Sequence, residues 1–91
     1  MTDQNRHYRI SGRVQGVGFR YATRACAEQL GLTGWVSNLP NGDVAAEASG
    51  SAEALDAFEQ WLHTGPSHAR VRSVASRPAD TRAFDGFAIK R

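Results

Sequence analysis

Residues Gly12–Arg20 read GRVQGVGFR, and no other stretch constrains the fold so tightly. Strand-like alternation runs up to Val14, a turn containing Gly16 and Gly18 follows, and Phe19 and Arg20 open a helical segment. Over residues 7–14, Tyr8, Ile10, Gly12 and Val14 fall on one face and Arg9, Ser11 and Arg13 on the other. That is the pattern of a half-buried strand. The helix then covers residues 20–30, with Ala22, Ala25, Cys26 and Leu30 at helical spacing and Gly31 as its stop.

Residues 33–38, TGWVSN, predict a second strand. Leu39-Pro40-Asn41-Gly42 reads as a turn, because Asn-Gly tolerates positive φ. Residues 43–49 alternate again with Val44, Ala46 and Ala48 inward, so the two strands should form a hairpin. Ser51 suits a helix N-cap. Leu55, Phe58 and Leu62 then form an apolar helical stripe, and Gly65-Pro66 ends that helix. Over residues 69–76 Ala69 and Val71 alternate with Arg70 and Arg72, a fourth strand, but Val74 falls on the polar side. A bulge or an early strand end would each explain this. Residues 77–83 read as a polar loop, and Phe84 packs where a last strand with Phe87 and Ile89 begins. The order is β-α-β-β-α-β with a short extra strand at the end. It predicts an α+β fold, the ferredoxin-like sandwich of an antiparallel sheet with two helices on one face. Residues 1–91 are expected to form a single domain.

Composition excludes several classes of function. With 41% hydrophobic and 22% charged residues, the chain can build one modest core. The N-terminal MTDQNRHYR is polar, and no stretch is long and apolar enough to span a membrane, so the cytoplasm is the expected location. Cys26 is the single cysteine and reads as a small buried hydrophobe. Arg70, Arg72, Arg77 and Arg82 make the densest basic region, but the net charge of only +2 fits a solvated strand face better than a nucleic-acid patch. His7, His63 and His68 lack metal-ligand spacing. Trp35 and Trp61 read as packing residues.

A Gly-containing turn that enters a helix leaves backbone N–H groups unpaired. Together with the helix dipole they make an anion site. Arg20 adds a planar, permanently charged fork that matches phosphate geometry. The spacing is not that of a nucleotide P-loop, since no Gly-Lys-Ser/Thr follows, and it misses G-x-G-x-x-G.

These residues closely resemble the acylphosphatase family. Gly12, Val14, Gln15, Gly16, Val17, Phe19 and Arg20 match its motif G-x-V-Q-G-V-x-F-R. Gly34-Trp35-Val36 and Asn38, followed by Gly42, Val44 and Gly50, match a second motif. Ser37 stands where the family usually has a long or basic residue or alanine, but strand alternation turns it away from Asn38. The resemblance covers essentially the whole chain. It implies hydrolysis of the carboxyl–phosphate anhydride of a small-molecule acyl phosphate, with no cofactor, no metal and no covalent phosphoenzyme. It also implies Arg20 and Asn38 as catalytic residues, and Gln15, Gly16, Val17, Gly18, Phe19 and Arg20 as the phosphate-binding set.

A carboxylate is a good leaving group, so a strong general acid is less necessary than for a phosphate ester. Loop N–H groups and Arg20 can hold the phosphoryl oxygens. Asn38 offers an acceptor and a donor and can fix a water molecule without acting as a base. Gln15 and Val17 can shape the loop while only their N–H groups touch substrate. The expected state is a monomer whose site also accepts inorganic phosphate or sulfate, with no nucleic-acid or membrane partner. Two alternatives stay open. One is a non-catalytic anion- or carbamoyl-phosphate-binding module on the same fold. The other is an RNA-binding domain of related topology, which would need paired aromatics on central strands.

Overall fold

Two strands flank each helix because each helix closes a strand-to-strand crossover. The computed structural model describes residues 3–80 and 82–90. The elements are β1 (Gln4–Arg13), α1 (Phe19–Gln29), β2 (Thr33–Asn38), β3 (Val44–Gly50), α2 (Ala52–Thr64), β4 (Arg70–Pro78) and β5 (Phe87–Lys90). They form one five-stranded sheet in the order β4-β1-β3-β2-β5. The four strands β4-β1-β3-β2 pair antiparallel, as the ferredoxin-like reading expected. β5 departs from it by pairing parallel with β2, which makes the sheet mixed.

The parallel edge follows from how the chain crosses the molecule. After β4 on one edge it must reach β2 on the other. Ala79 N–H donates to the Asn5 carbonyl at 3.0 Å, and Asn5 Nδ2 donates to the Asp80 carbonyl at 2.9 Å. Gly34 N–H then donates to the Gly86 carbonyl at 2.9 Å and starts the parallel ladder. This crossing covers the sheet face opposite the helices, where Asn5 and Glu47 are both buried. Glu47 pairs there with Arg82 at 3.5 Å.

The helix-side face follows the alternation. Tyr8, Ile10, Val36, Val44, Ala46 and Ala48 are wholly buried against Leu55, Phe58 and Leu62 of α2. Tyr8 and Phe58 meet edge to face with ring centroids 5.4 Å apart. Burial pushes the Tyr8 phenol up to about 12. Ser51 caps α2 by accepting from Ala54 N–H at 3.1 Å, and Gly65 ends it.

Two readings of the sequence need correction, and one choice it left open is resolved. The face that α1 buries is Phe19, Thr23 and Ala27, with Ala25 exposed. Thr23 is tolerated in the core because its hydroxyl donates to the Phe19 carbonyl at 2.7 Å. Of the two explanations left open for β4, the bulge holds and the early end does not. Ser11 pairs with Ser73 and Gly12 with Val71, so Arg72 bulges out and both Val71 and Val74 pack on the core. Arg77 and Pro78 belong to β4 rather than to the loop, and Phe84 is only half-buried. Thr81 of that loop lies outside the described residues, as do Met1, Thr2 and Arg91. Among the described residues no helix is long and apolar enough to cross a membrane.

Candidate active site

β1 and β2 both run antiparallel to β3, so both end at the same edge of the sheet. Val44 sits between them, paired with Ile10 on one side and Asn38 on the other. The topology therefore brings the loop after β1 and the last residue of β2 together, although 18 and 38 are far apart in sequence.

Val14 is buried and anchors the start of the loop. Gly16 (φ 74°) and Gly18 (φ 76°) take left-handed angles that disfavour other residues. A Cβ at either position would meet nothing within 4 Å, so it is the backbone angle, not crowding, that calls for glycine. Gly18 is the N-cap of α1, with no side-chain cap and no acidic residue in the first turn. Among the described residues, the N–H groups of Gly16 to Arg20 have no partner in turns, caps or side chains. The positive end of the helix thus faces outward with its donors free.

A pocket of about 100 Å³ lies against this helix start, lined by Val14, Gly16, Gly18, Phe19, Arg20, Tyr21 and Asn38. It brings together Arg20 and Asn38, the two side chains expected to act. Asn38 Oδ1 is buried with no hydrogen-bond partner among the described residues. A buried carbonyl without a donor is costly, and such groups in native proteins usually mark a role. Among the described residues no histidine or carboxylate lines this pocket.

The other expected residues are placed differently. Phe19 buries its ring in the core against Trp61, 5.8 Å between centroids, which leaves its N–H as the only group it can offer an anion. Val17 packs against the core and does not line the pocket. Gln15 is also absent from its lining, and its side chain is engaged elsewhere. Its Nε2 donates to the Leu39 and Asp43 carbonyls, both at 2.8 Å. The loop is thereby tied to the turn that follows Asn38. Ser37 is turned to the outer face, where its hydroxyl donates to the Asn38 carbonyl at 3.3 Å.

Tyr21 was not foreseen. It is 59% exposed, lines the pocket and carries Arg24 over its ring at 5.7 Å. Its position directly after Arg20 was the available signal. Cys26 is half-buried against the core, and burial pushes its thiol up. Trp35 stacks under Lys90 at 4.6 Å and meets His7 edge to face, a packing role on the outer face. Among the described residues no three His, Cys, Asp or Glu side chains converge.

A family model described as acylphosphatase matches residues 6–89. An acylphosphatase of Trichormus variabilis is 47% identical over 85 residues, covering 93% of this chain and 84% of the relative. The structure of an acylphosphatase from Coxiella burnetii superposes with a TM-score of 0.94 at 38% identity, over 97% of this chain and 93% of that one. Full-length HypF, crystallised in a phosphate- and nucleotide-bound form, gives a TM-score of 0.88 at 26% identity. The match covers 99% of this chain but only 12% of HypF.

Proposed function

The chain belongs to the acylphosphatase family of hydrolases acting on acid anhydrides, and we propose that it hydrolyses acyl phosphates by in-line attack of water. No metal or covalent intermediate takes part. The N–H groups of Gly16, Val17, Gly18, Phe19 and Arg20 and the Arg20 guanidinium hold the phosphoryl oxygens, with Gln15 supplying its N–H and the tie to the hairpin. These donors meet negative charge where it accumulates and need no reorganisation during the reaction. The bond from phosphorus to the acyl oxygen breaks and the carboxylate leaves with the electron pair.

Asn38 Oδ1 accepts a hydrogen bond from the attacking water and fixes its direction. The observation that carries this reading is that this oxygen is buried and has no partner among the described residues, on a residue that lines the same pocket as Arg20. The water's proton passes to a phosphate oxygen of the substrate; among the described residues no histidine or carboxylate lines the pocket to receive it. The protein works as a cytoplasmic monomer, a single domain over 1–91, and inorganic phosphate or sulfate competes for the loop.

The test is hydrolysis of benzoyl phosphate in heavy-oxygen water with chelator present. Label in the phosphate supports attack on phosphorus. Label in the benzoate, or loss of rate with chelator, contradicts it. The likeness to a small part of HypF supports a second reading, a non-catalytic anion-binding module. Absence of turnover together with tight phosphate binding would favour that module.

A further inference from the structure

Arg13 ends β1, Arg70 begins β4, and the two are directly paired across the ladder. Like charges at opposed sheet positions repel. The ion pairs found among the described residues go to Arg6 with Asp56, Arg9 with Asp43 and Arg82 with Glu47. Arg13 and Arg70 have no carboxylate partner among the described residues. They instead border a cavity of about 630 Å³ whose walls also include His68, Gly16 and Val17, with no acidic residue among the described residues that line it. Gly16 lines the reaction pocket as well, so the cavity adjoins the phosphate loop at Gly16.

We propose that this cavity is a second anion site, which takes a carboxylate or phosphate at the far end of the acyl chain. The substrate class it selects is acyl phosphates bearing a second anionic group. This rests on the hydrolase reading for the phosphate loop. With the reacting phosphoryl group held at Gly16–Arg20, a short acyl chain passing Gly16 enters the cavity. There its terminal anion lies between two guanidinium forks and relieves their mutual repulsion. Charge at a cavity mouth also raises the encounter rate of doubly anionic substrates.

Non-hydrolysable methylene phosphonate analogues of succinyl phosphate and pentanoyl phosphate, titrated calorimetrically, separate binding from turnover. The wild type should bind the carboxylate-bearing analogue at least about tenfold more tightly than the neutral one. Arg13→Gln with Arg70→Gln should abolish that preference and leave the neutral analogue's affinity unchanged, and each single variant should lose part of it. A third analogue with a terminal phosphate tells which anion is preferred. Equal affinities in the wild type, or a preference that survives the double variant, would overturn the second site. Turnover of succinyl phosphate and of pentanoyl phosphate is measured in parallel. Fast turnover without discrimination sinks the second site alone. Discrimination without turnover of either substrate upholds the site and sinks the hydrolase reading.

Discussion

Gln15 Nε2 lies 2.8 Å from the carbonyl oxygen of Leu39, the residue directly after Asn38. A second bond of equal length to Asp43 closes the clasp. One side chain therefore sets the distance between the anion loop and the strand end that carries Asn38. Gln15→Ala should lower kcat more than it raises KM, because Asn38 loses its register with Arg20 while the loop N–H groups stay. Two part-buried hydrogen bonds are lost, at a cost of about 1–3 kcal/mol in urea unfolding. Gln15→Glu should be worse than alanine, since it points a carboxylate at two carbonyls. Equal kinetics in wild type and Gln15→Ala would show that the clasp does not position the site.

Asn38 should be a residue whose removal harms activity and spares the fold. Its Oδ1 is buried and has no partner among the described residues. Asn38→Ala removes that unsatisfied acceptor, so stability should stay level or rise by up to about 1 kcal/mol. A clear fall in the unfolding midpoint would mean that the side chain supports the hairpin instead.

Arg20 should resist conservative replacement. Arg20→Ala should cost roughly 10³-fold or more in kcat/KM, by analogy with arginines in other phosphoryl transfers. Arg20→Lys keeps the charge but loses the planar fork, and should recover only part of that loss. Full activity in the lysine variant would reduce the role of Arg20 to charge alone.

Acid should weaken the fold through His7. Burial, and after it the charge of Arg77, lowers the His7 pKa below 6.5. The folded state thus holds fewer protons than the unfolded one across this range. The His7 contribution is fully present above the unfolded value and is lost as pH falls through the folded one. The thermal midpoint should drop more steeply below about pH 6.5 in the wild type than in His7→Gln. Asp43 adds a loss in the same direction at lower pH, because its hydrogen bond from Arg9 holds its carboxyl below the usual range. Turnover should stay level from about pH 6 to about pH 8, since among the described residues no histidine or carboxylate lines the pocket.

The strand–turn–helix at Gly12–Arg20 was legible because its glycines mark the two left-handed angles directly. β2 was read to its exact bounds, as its alternation is unbroken up to the Asn-Gly turn. The bulge at Arg72 showed only as a conflict of phase, because a bulge and a strand end leave the same residue pattern. Glu47 lies opposite the inward-facing Val44, Ala46 and Ala48 of β3 and is nevertheless buried, since the segment that pairs with it at Arg82 comes from the far end of the chain. The motifs identified Gln15 but not its bond to Leu39, which exists only once the hairpin turn folds beside the loop. Thr23 in the core was hidden for a similar reason, since its hydroxyl finds its acceptor one turn back in the helix.

Phosphate binding by the loop and Arg20 separates from water direction by Asn38 when benzoyl phosphate turnover and inorganic phosphate affinity are measured in parallel for wild type and Asn38→Ala. Rapid wild-type turnover, near-complete loss in the variant and a phosphate Kd that scarcely moves are the expected results. Strong turnover in Asn38→Ala, or loss of phosphate binding along with activity, would overturn this division of roles.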